Sequence, residues 1–505
     1  PDSPRAARSA RRMHDLLAVV GWLTCVAILV SLFNEMRSPR GLVLSWKTIF
    51  LAGYTVFYGT GTALLAAEKY TNPFYIPSGH AIAVMTFWVP TFLVLFLLFY
   101  KLGRKWTGLT KVIPTCSLPV SSPLLFISLG ICMALGLITT LVPIPDYLGM
   151  LMAQFRDGWL AASVGLATFY LLSRKRNPLA MGVFALVLPT VLVLATTAGI
   201  GRRPLLNMFL MVGWVGYFYY FRFCPRSVRM TWLIAGGTAA VAALTMYAAF
   251  RADVNVRQDR QTVISQRVAQ IKRALTNPRI ETEAIWSLLA TDPSIYTGYL
   301  IDQVPDNLPP YPFQGLAYFL ANPIPRQFWP GKPSAIGILI QERLGLVFNV
   351  GPGIIGHGYY EMLHLGVVWY ALFFGVACAA VDTAIRRRAD QPLFVIAVGT
   401  CLGNVMGLPR GETFLFFLGA CATFVAAMGV FVTLRLVAGG VFRAFPPLPH
   451  PAAKLGLSPS AQFIEEGPAL DHLRESEAQA GGDEVPYGEE PALVDAERPL
   501  AQPAA

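Results

Sequence analysis

The chain has 505 residues, of which 54% are hydrophobic and 14% are charged, and its formal net charge is +11. The mean hydropathy of +0.51 excludes an ordinary water-soluble globule, because too few charged side chains are present to cover a surface of that size. The seven cysteines are scattered without a CxxC pair, which favours neither a disulfide framework nor a zinc site. A bilayer is the solvent that suits this composition.

Apolar runs of about 20 residues, the length that crosses a bilayer, recur along the chain. We predict eleven membrane-spanning helices, within a range of ten to twelve, near residues 14–33, 42–66, 81–100, 123–143, 155–173, 178–198, 205–221, 231–250, 355–381, 392–408 and 413–438. The expected fold class is an all-α polytopic membrane protein. The expected regions are N-terminal transmembrane helices (1–250), one large extracytoplasmic loop (251–351), C-terminal transmembrane helices (352–440) and a disordered acidic cytoplasmic tail (441–505).

The charges indicate how the chain is oriented in the membrane. Lys and Arg collect in the links 101–111, 174–176, 222–229 and 386–388. Strict alternation from the fourth span onward puts these links on one face, which the positive-inside rule predicts to be cytoplasmic. The same alternation places the N-terminus outside, whereas its four arginines favour inside, so the sequence leaves that side open. Because the basic excess indicates orientation, nucleic acid is not expected as a partner.

A Pro-rich segment within the large loop is the most unusual stretch of the sequence. Residues 322–333 contain four prolines, which fix the backbone repeatedly so that Arg326 and Lys332 project from a stiff, aromatic-flanked chain. One interpretation is a preorganised anion site. The other is an interfacial loop that Trp329 anchors in the membrane, and the chemistry alone favours neither.

The motif P-R-x-x-W-P-x-K-P in this segment resembles the O-antigen polymerase, or oligosaccharide repeat-unit polymerase, family. The stretch GHGYYEMLHLGVVWYALFFG is similar to a second family element, in which Glu361 occupies the acidic position. Pro409-Arg410-Gly411 resembles the Arg-Gly pair before the family's last span. The likeness covers about residues 200–440. The chain departs from the family at residues 362–366, where an Asn-Phe-Gly-type step is usual.

The resemblance implies a glycosyltransferase of the bacterial inner (cytoplasmic) membrane. Such an enzyme transfers an oligosaccharide from one polyprenyl-diphosphate carrier to the distal sugar of another at the extracytoplasmic face. The reaction is expected to invert the configuration at the donor sugar and to need neither a metal nor another cofactor. The expected partners are the polyprenyl-diphosphate-linked oligosaccharide, membrane lipid, a chain-length regulator and a flippase.

The leaving diphosphate requires cations, and arginine suits this task because its planar fork binds phosphate oxygens through two parallel hydrogen bonds. Four arginines lie on the same predicted side of the membrane: Arg202, Arg203, Arg326 and Arg410. Simple snorkelling to the interface is the alternative for Arg203. Arg326 and Arg410 are predicted to be catalytic, while Arg202, Arg203, Lys332 and Trp329 are predicted to bind substrate.

The acceptor hydroxyl must lose a proton, which requires a carboxylate or an imidazole within reach. His357, Glu361 and His364 share one face if residues 357–364 are helical. Glu361 is the predicted base, His357 a second catalytic residue and His364 a substrate-binding residue. A divalent metal held by the three is the rival interpretation. The seven-residue separation of the histidines argues against it, and no metal is predicted.

Two other functions agree with parts of the sequence. An O-antigen-ligase-like enzyme shares the topology and the outer arginines, but it transfers finished polymer to a different acceptor. A transporter or flippase of lipid-linked oligosaccharide belongs to another class, and predicts internal repeats and charged residues near the middle of its spans. We find no convincing repeat, and the charges cluster at the span ends.

Overall fold

The structure is a computed structural model that describes residues 4–37, 41–67, 74–142, 146–174, 177–197, 202–238, 292–325, 327–346 and 350–451. All of these residues belong to one compact unit, Pro1–Pro459. The first part of the predicted large loop, residues 251–291, and most of the predicted acidic tail lie outside the described residues. Of the predicted span 231–250, residues 231–238 are helical and the remainder lies outside the described residues.

The described residues are predominantly helical and contain no β-strand beyond one isolated bridge between Ser121 and Pro447. In chain order the helices are α1 (Pro4–Arg37), α2 (Trp46–Tyr54), α3 (Gly61–Ala66), α4 (Gly79–Gly103), α5 (Ser122–Leu141), α6 (Asp146–Ser173), α7 (Pro178–Thr197), α8 (Arg202–Tyr219), α9 (Asp292–Gln303), α10 (Gln314–Ala321), α11 (Ile336–Arg343), α12 (Gly353–Arg387), α13 (Pro392–Gly399), α14 (Leu402–Gly407) and α15 (Thr413–Arg443). A π-helical turn, Thr55–Thr60, joins α2 to α3.

Seven helices in the described part of the chain are long and apolar enough to cross a membrane, so the protein is a multi-pass membrane protein. They are Arg12–Arg37, Trp46–Ala66, Gly79–Gly103, Ser122–Leu141, Pro178–Ala195, Gly353–Arg387 and Thr413–Arg443. Each coincides with one of the eleven predicted spans. The predicted spans 155–173 and 205–221 coincide with helices α6 and α8, which are not among the seven.

The predicted span 392–408 coincides with a short apolar helical stretch, Pro392–Gly407. The helical hydrogen-bonding pattern is interrupted at Thr400 and Cys401, which separate α13 from α14, and the two together are too short to count as a full span. The broken pair is buried between α6, α8 and α15. Thr400 and Cys401 keep helical φ/ψ angles, so the interruption is a local change in hydrogen bonding, and it lies against protein rather than lipid.

The second half of the predicted large loop folds onto the membrane helices. Helix α9 packs on α4 and α12, and α10 packs on α15. Several apolar side chains of α9 are fully buried, among them Ile295, Tyr296 and Leu300. The described portion of the loop is thus an integral layer of the core.

Helix α12 is sharply broken near its start. Met362 and Leu363 leave the helical region, and Leu363 has a positive φ of 51°. A Cβ added to Gly366 would lie 1.8 Å from the carbonyl oxygen of Gly358. In a continuous helix these residues would be about 12 Å apart along the axis. The segment after the break therefore folds back against the segment before it.

Because no side chain fits at this contact, we expect Gly366→Ala to lower the free energy of unfolding by about 3 kcal/mol, as overpacked cores do. Gly429→Ala in α15 is the matched control, because a Cβ there meets nothing within 4 Å. Melting temperatures of the two purified variants in detergent measure the difference. Equal melting temperatures would contradict the contact.

Asp382, near the other end of α12, attaches this helix to its neighbours. Its fully buried carboxylate accepts hydrogen bonds from the backbone N–H groups of Trp46 (2.7 Å) and Lys47 (3.2 Å) and from the hydroxyl of Tyr100 (3.0 Å). Hydrogen bonds to a charged group contribute about 1.5–3 kcal/mol each. This Asp382 clamp fixes α12 against α2 and α4.

An apolar cavity of about 710 Å³ lies between α12 and α15. Aromatic side chains from both helices line it, including Trp369, Phe373, Phe417 and Phe424. The cavity therefore runs beside the segment of α12 that follows the break.

Candidate functional site

Glu361 is the last residue before the break in α12, and its side chain is completely buried. Its Oε1 accepts hydrogen bonds from the backbone N–H of Gly315 (2.5 Å) and from the hydroxyl of Tyr370 (2.8 Å). Its Oε2 has no hydrogen-bond partner among the described residues. A buried carboxylate with one oxygen held and the other open has room to accept a proton.

The fold-back of α12 brings Tyr370 against Glu361 and His357, which lie one helical turn apart before the break. Nδ1 of His357 lies 3.2 Å from the hydroxyl of Tyr370, and its Nε2 lies 3.1 Å from Oε1 of Glu412. The four side chains therefore form one continuous chain of polar contacts, running Glu361, Tyr370, His357, Glu412. His357 is fully buried and Glu412 is 6% exposed. We call these four residues the buried relay.

Glu412 lies at the N-terminal ends of two helices. It is the N-cap residue of α15, and it accepts the backbone N–H groups of Ile336 (3.0 Å) and Gly337 (2.8 Å) at the start of α11. Positive ends of helix dipoles favour a carboxylate there. Burial raises the pKa of Glu412, but His357 and the two N–H donors outweigh it, so the pKa ends below its ordinary value.

A lowered pKa in the folded state means that ionised Glu412 stabilises the fold above its unfolded pKa of about 4.3. That contribution is lost as the pH falls through the lower folded pKa. We expect Glu412→Gln to destabilise the protein by about 3 kcal/mol at neutral pH, because it removes the ionised acceptor of two buried backbone N–H groups. Melting curves of both proteins between neutral and strongly acidic pH should converge on acidification. A constant difference would contradict an ionised Glu412.

Two arginines lie close to the relay. Arg410 is two residues before Glu412, and its guanidinium carbon is 5.8 Å from the ring centroid of Phe57. The guanidinium carbon of Arg203 is 4.1 Å from the ring centroid of Phe416, and its Nη1 donates to Oδ1 of Asn404 (3.4 Å). Arg203 lies within electrostatic range of both Asp157 and Arg410. Two predicted cations from distant parts of the sequence thus lie in one region, together with an acidic side chain.

The π-helical turn holds the start of α12 beside these arginines. Tyr58 in this turn accepts a hydrogen bond from the backbone N–H of Ile355 (3.1 Å), and its hydroxyl lies 3.0 Å from that of Thr297. The backbone N–H of Ile354 donates to the carbonyl of Pro409 (3.3 Å). Turns of this kind occur often at functional sites. The turn, α9 and the residue 409–412 connection together position His357.

The expectation of a continuous helix over residues 357–364 is wrong. His357 and Glu361 do share a face, but the break at Met362 and Leu363 turns His364 elsewhere. The exposed His364 accepts a hydrogen bond at Nδ1 from the indole N–H of Trp88 (2.7 Å) and stacks on that ring. The three residues predicted to share one face therefore do not converge.

The remaining predicted residues lie in or next to the Pro-rich segment, or at the start of α8. Lys332 donates from Nζ to the carbonyls of Asn322 (2.7 Å) and Ile324 (3.0 Å), so it closes the turn. Trp329 is 43% exposed in that turn. Arg326 lies outside the described residues, as does the side chain of Arg202, which begins α8.

Tyr370 and Glu412 were missed by the sequence reasoning. Tyr370 lies within the apolar run VVWYALFF, where an aromatic residue is typical of a span. Glu412 directly follows the Pro409-Arg410-Gly411 motif but is not part of it. The available signal was an acidic residue directly after Pro-Arg-Gly and directly before a long apolar helix.

Within the described ranges, no group of three His, Cys, Asp or Glu side chains is arranged to hold a metal ion. The relay offers a path for protons, and the two arginines offer positive charge to an anion. No protein-family model, curated protein or solved structure matches the chain.

Proposed function

We propose that the chain is a membrane glycosyltransferase that polymerises polyprenyl-diphosphate-linked oligosaccharide repeat units into surface polysaccharide. The proposed location is the extracytoplasmic face of the bacterial cytoplasmic membrane. The observation that carries the proposal is the chain of contacts that joins Glu361, with its open Oε2, through Tyr370 and His357 to Glu412, two residues after Arg410. The family resemblance of the Pro-rich and Gly-rich motifs supports the same assignment.

In the proposed reaction, a hydroxyl of the acceptor sugar attacks the anomeric carbon of the donor sugar. The glycosidic bond forms as the bond between that carbon and the diphosphate breaks. The hydroxyl proton passes to Oε2 of Glu361, and the polyprenyl diphosphate leaves with an additional negative charge. Arg203 and Arg410 stabilise that charge as it develops. Stabilisation of developing charge is the largest single contribution to catalysis in many enzymes.

The apolar cavity suits the carrier as well. A polyprenyl chain requires an apolar surface next to the reacting headgroup, and the cavity is lined by Trp369, the neighbour of Tyr370 in the sequence. Aromatic rings continue from it toward Glu361, since Phe414 lies 5.4 Å from Phe373 and from Tyr370 between ring centroids. A metal is not required by this scheme, because the arginines supply the positive charge.

The proposal is tested by adding the purified full chain to membranes of the producing cell that lack it and accumulate single lipid-linked repeat units. Polymers of increasing length should form, with release of one polyprenyl diphosphate for each unit joined. Transfer of pre-formed polymer to a different acceptor without elongation would identify a ligase. Movement of the lipid across the membrane without formation of a glycosidic bond would identify a flippase. Either of these two results overturns the polymerase assignment.

A further inference from the structure

The reaction proposed above leaves a proton on a residue that is shut off from water. Glu361 has no exposed surface, and neither His357 nor Tyr370 has any. The carboxylate must lose this proton before it can act again in the next round of elongation. Its own contacts indicate where the proton goes, because Oε1 is hydrogen-bonded to the hydroxyl of Tyr370 at 2.8 Å.

The Tyr370 hydroxyl has a second neighbour that takes up protons. Nδ1 of His357 lies 3.2 Å from the same oxygen. A hydroxyl accepts one hydrogen bond while it donates another, so it passes a proton on without being ionised in either the initial or the final state. The terminal torsion of a Glu side chain is broad and roughly two-fold. Rotation of the carboxyl group therefore brings a proton taken at Oε2 to the side that faces Tyr370.

Glu412 gives the proton a stable end point. It faces Nε2 of His357 at 3.1 Å, and the N–H groups of Ile336 and Gly337 hold its carboxylate in place. A third group that orients an imidazole and stabilises its cation is the arrangement by which a base is supported in acyl-transfer enzymes. Here the imidazole is separated from the reacting base by a tyrosine hydroxyl.

We propose, resting on the function proposed above, that Tyr370 and His357 carry the proton away from Glu361 and that Glu412 stabilises the imidazolium that results. Glu361 gives its proton to the Tyr370 oxygen, while Tyr370 gives its own to Nδ1 of His357. Glu361 is again a carboxylate, Tyr370 is again neutral, and His357 is a cation paired with Glu412. The proton then leaves the relay for water at Glu412, which at 6% is its only member with exposed surface, before the next turnover. Glu361 is the catalytic residue, and the other three are positioning residues that act through it.

The test uses Tyr370→Phe, which removes the hydroxyl and keeps the ring between Phe374 and Phe414. Turnover is measured with the full chain in membranes that supply native lipid-linked repeat units. We expect kcat to fall roughly 10²-fold, the lower end of general acid–base effects, with KM unchanged. The solvent deuterium isotope effect on turnover should rise, because proton removal becomes rate-limiting. A purely structural role would not raise it.

Tyr100→Phe is the matched control. It also removes a buried hydrogen bond between a tyrosine and a carboxylate, at Asp382 rather than at Glu361. We expect normal turnover and a normal isotope effect from this variant. The control separates the loss of a buried hydroxyl from the loss of the relay.

Glu412→Gln tests the proposal independently of Tyr370 and covers the case in which Tyr370→Phe does not fold. It should also lower kcat at unchanged KM. Because both residues serve one path, the double variant should be no slower than the slower single variant. Normal turnover in either single variant, or rate losses that multiply in the double variant, would overturn the relay.

Glu361→Gln separates the two proposals: if it polymerises normally, the proposed function loses its base. If it is inactive while Tyr370→Phe is normal, only the relay fails.

Discussion

Replacing Glu361 by Gln is expected to abolish long polysaccharide chains while single-repeat material remains. The substitution keeps the shape of the side chain and an oxygen that accepts the Gly315 N–H. It removes the ability to take a proton from the acceptor hydroxyl. General acid–base catalysis of this kind contributes about 10²–10⁴-fold to the reaction rate. Surface polysaccharide from the producing cell, separated by length on a gel, measures the effect.

Asp382→Asn is the matched control for this variant. Asp382 is also a fully buried carboxylate of α12, and it too accepts hydrogen bonds from a tyrosine hydroxyl and from backbone N–H groups. We expect its loss to lower the melting temperature and to leave the chain-length distribution of the surviving protein unchanged. Long chains at normal abundance in Glu361→Gln would remove Glu361 from the reaction.

Replacing Arg410 by Ala is expected to lower the turnover about 10²–10³-fold, the cost of removing one charge-stabilising group from a transition state. Arg410→Lys should recover only part of the loss, because an ammonium group does not reproduce the two parallel hydrogen bonds of a guanidinium. The rate at which polyprenyl diphosphate is released in the membrane assay measures both variants. Arg203→Ala should act in the same direction.

Arg387→Ala is the control for the arginine series. Arg387 is exposed, lies in the basic link predicted to be cytoplasmic, and donates to the hydroxyl of Thr110 (3.2 Å). It is expected to retain full turnover. Equal losses in Arg387→Ala and Arg410→Ala would point to a general effect of charge on insertion or stability rather than to the stabilisation of a leaving group.

The positions of the spans could be predicted from the sequence because burying charge in hydrocarbon is costly. Every one of the seven membrane-length helices coincides with a predicted apolar run. The break at Met362 and Leu363 could not be predicted in this way, because hydropathy contains no information about the direction of the backbone. The break falls next to Glu361 and His364 at the start of an apolar run, and the requirement for it appears only in the close approach of Gly358 to Gly366.

The candidate site could be predicted in part. His357, Glu361, Arg203 and Arg410 are residue types that suit the chemistry, and they lie at the ends of apolar runs. Tyr370 could not be identified, because its partner Glu361 reaches it only through the fold-back of α12. The helical spacing that placed His364 beside Glu361 fails for the same reason. Local periodicity describes neighbours within one helix, whereas this site is built across a break.

The Asp382 clamp and the Gly315 contact attach α12 to its surroundings at two separate points. Sliding α12 would break three hydrogen bonds to the Asp382 carboxylate, so the clamp holds the helix that bears Glu361 in place. The 292–346 layer donates the backbone N–H of Gly315 to Glu361. That layer is itself anchored, because Glu412 accepts the backbone N–H groups of Ile336 and Gly337, and Asp302 accepts the backbone N–H of Ser78. Glu361 is therefore held between two anchored parts of the core, and a local motion there would have to break several buried hydrogen bonds at once.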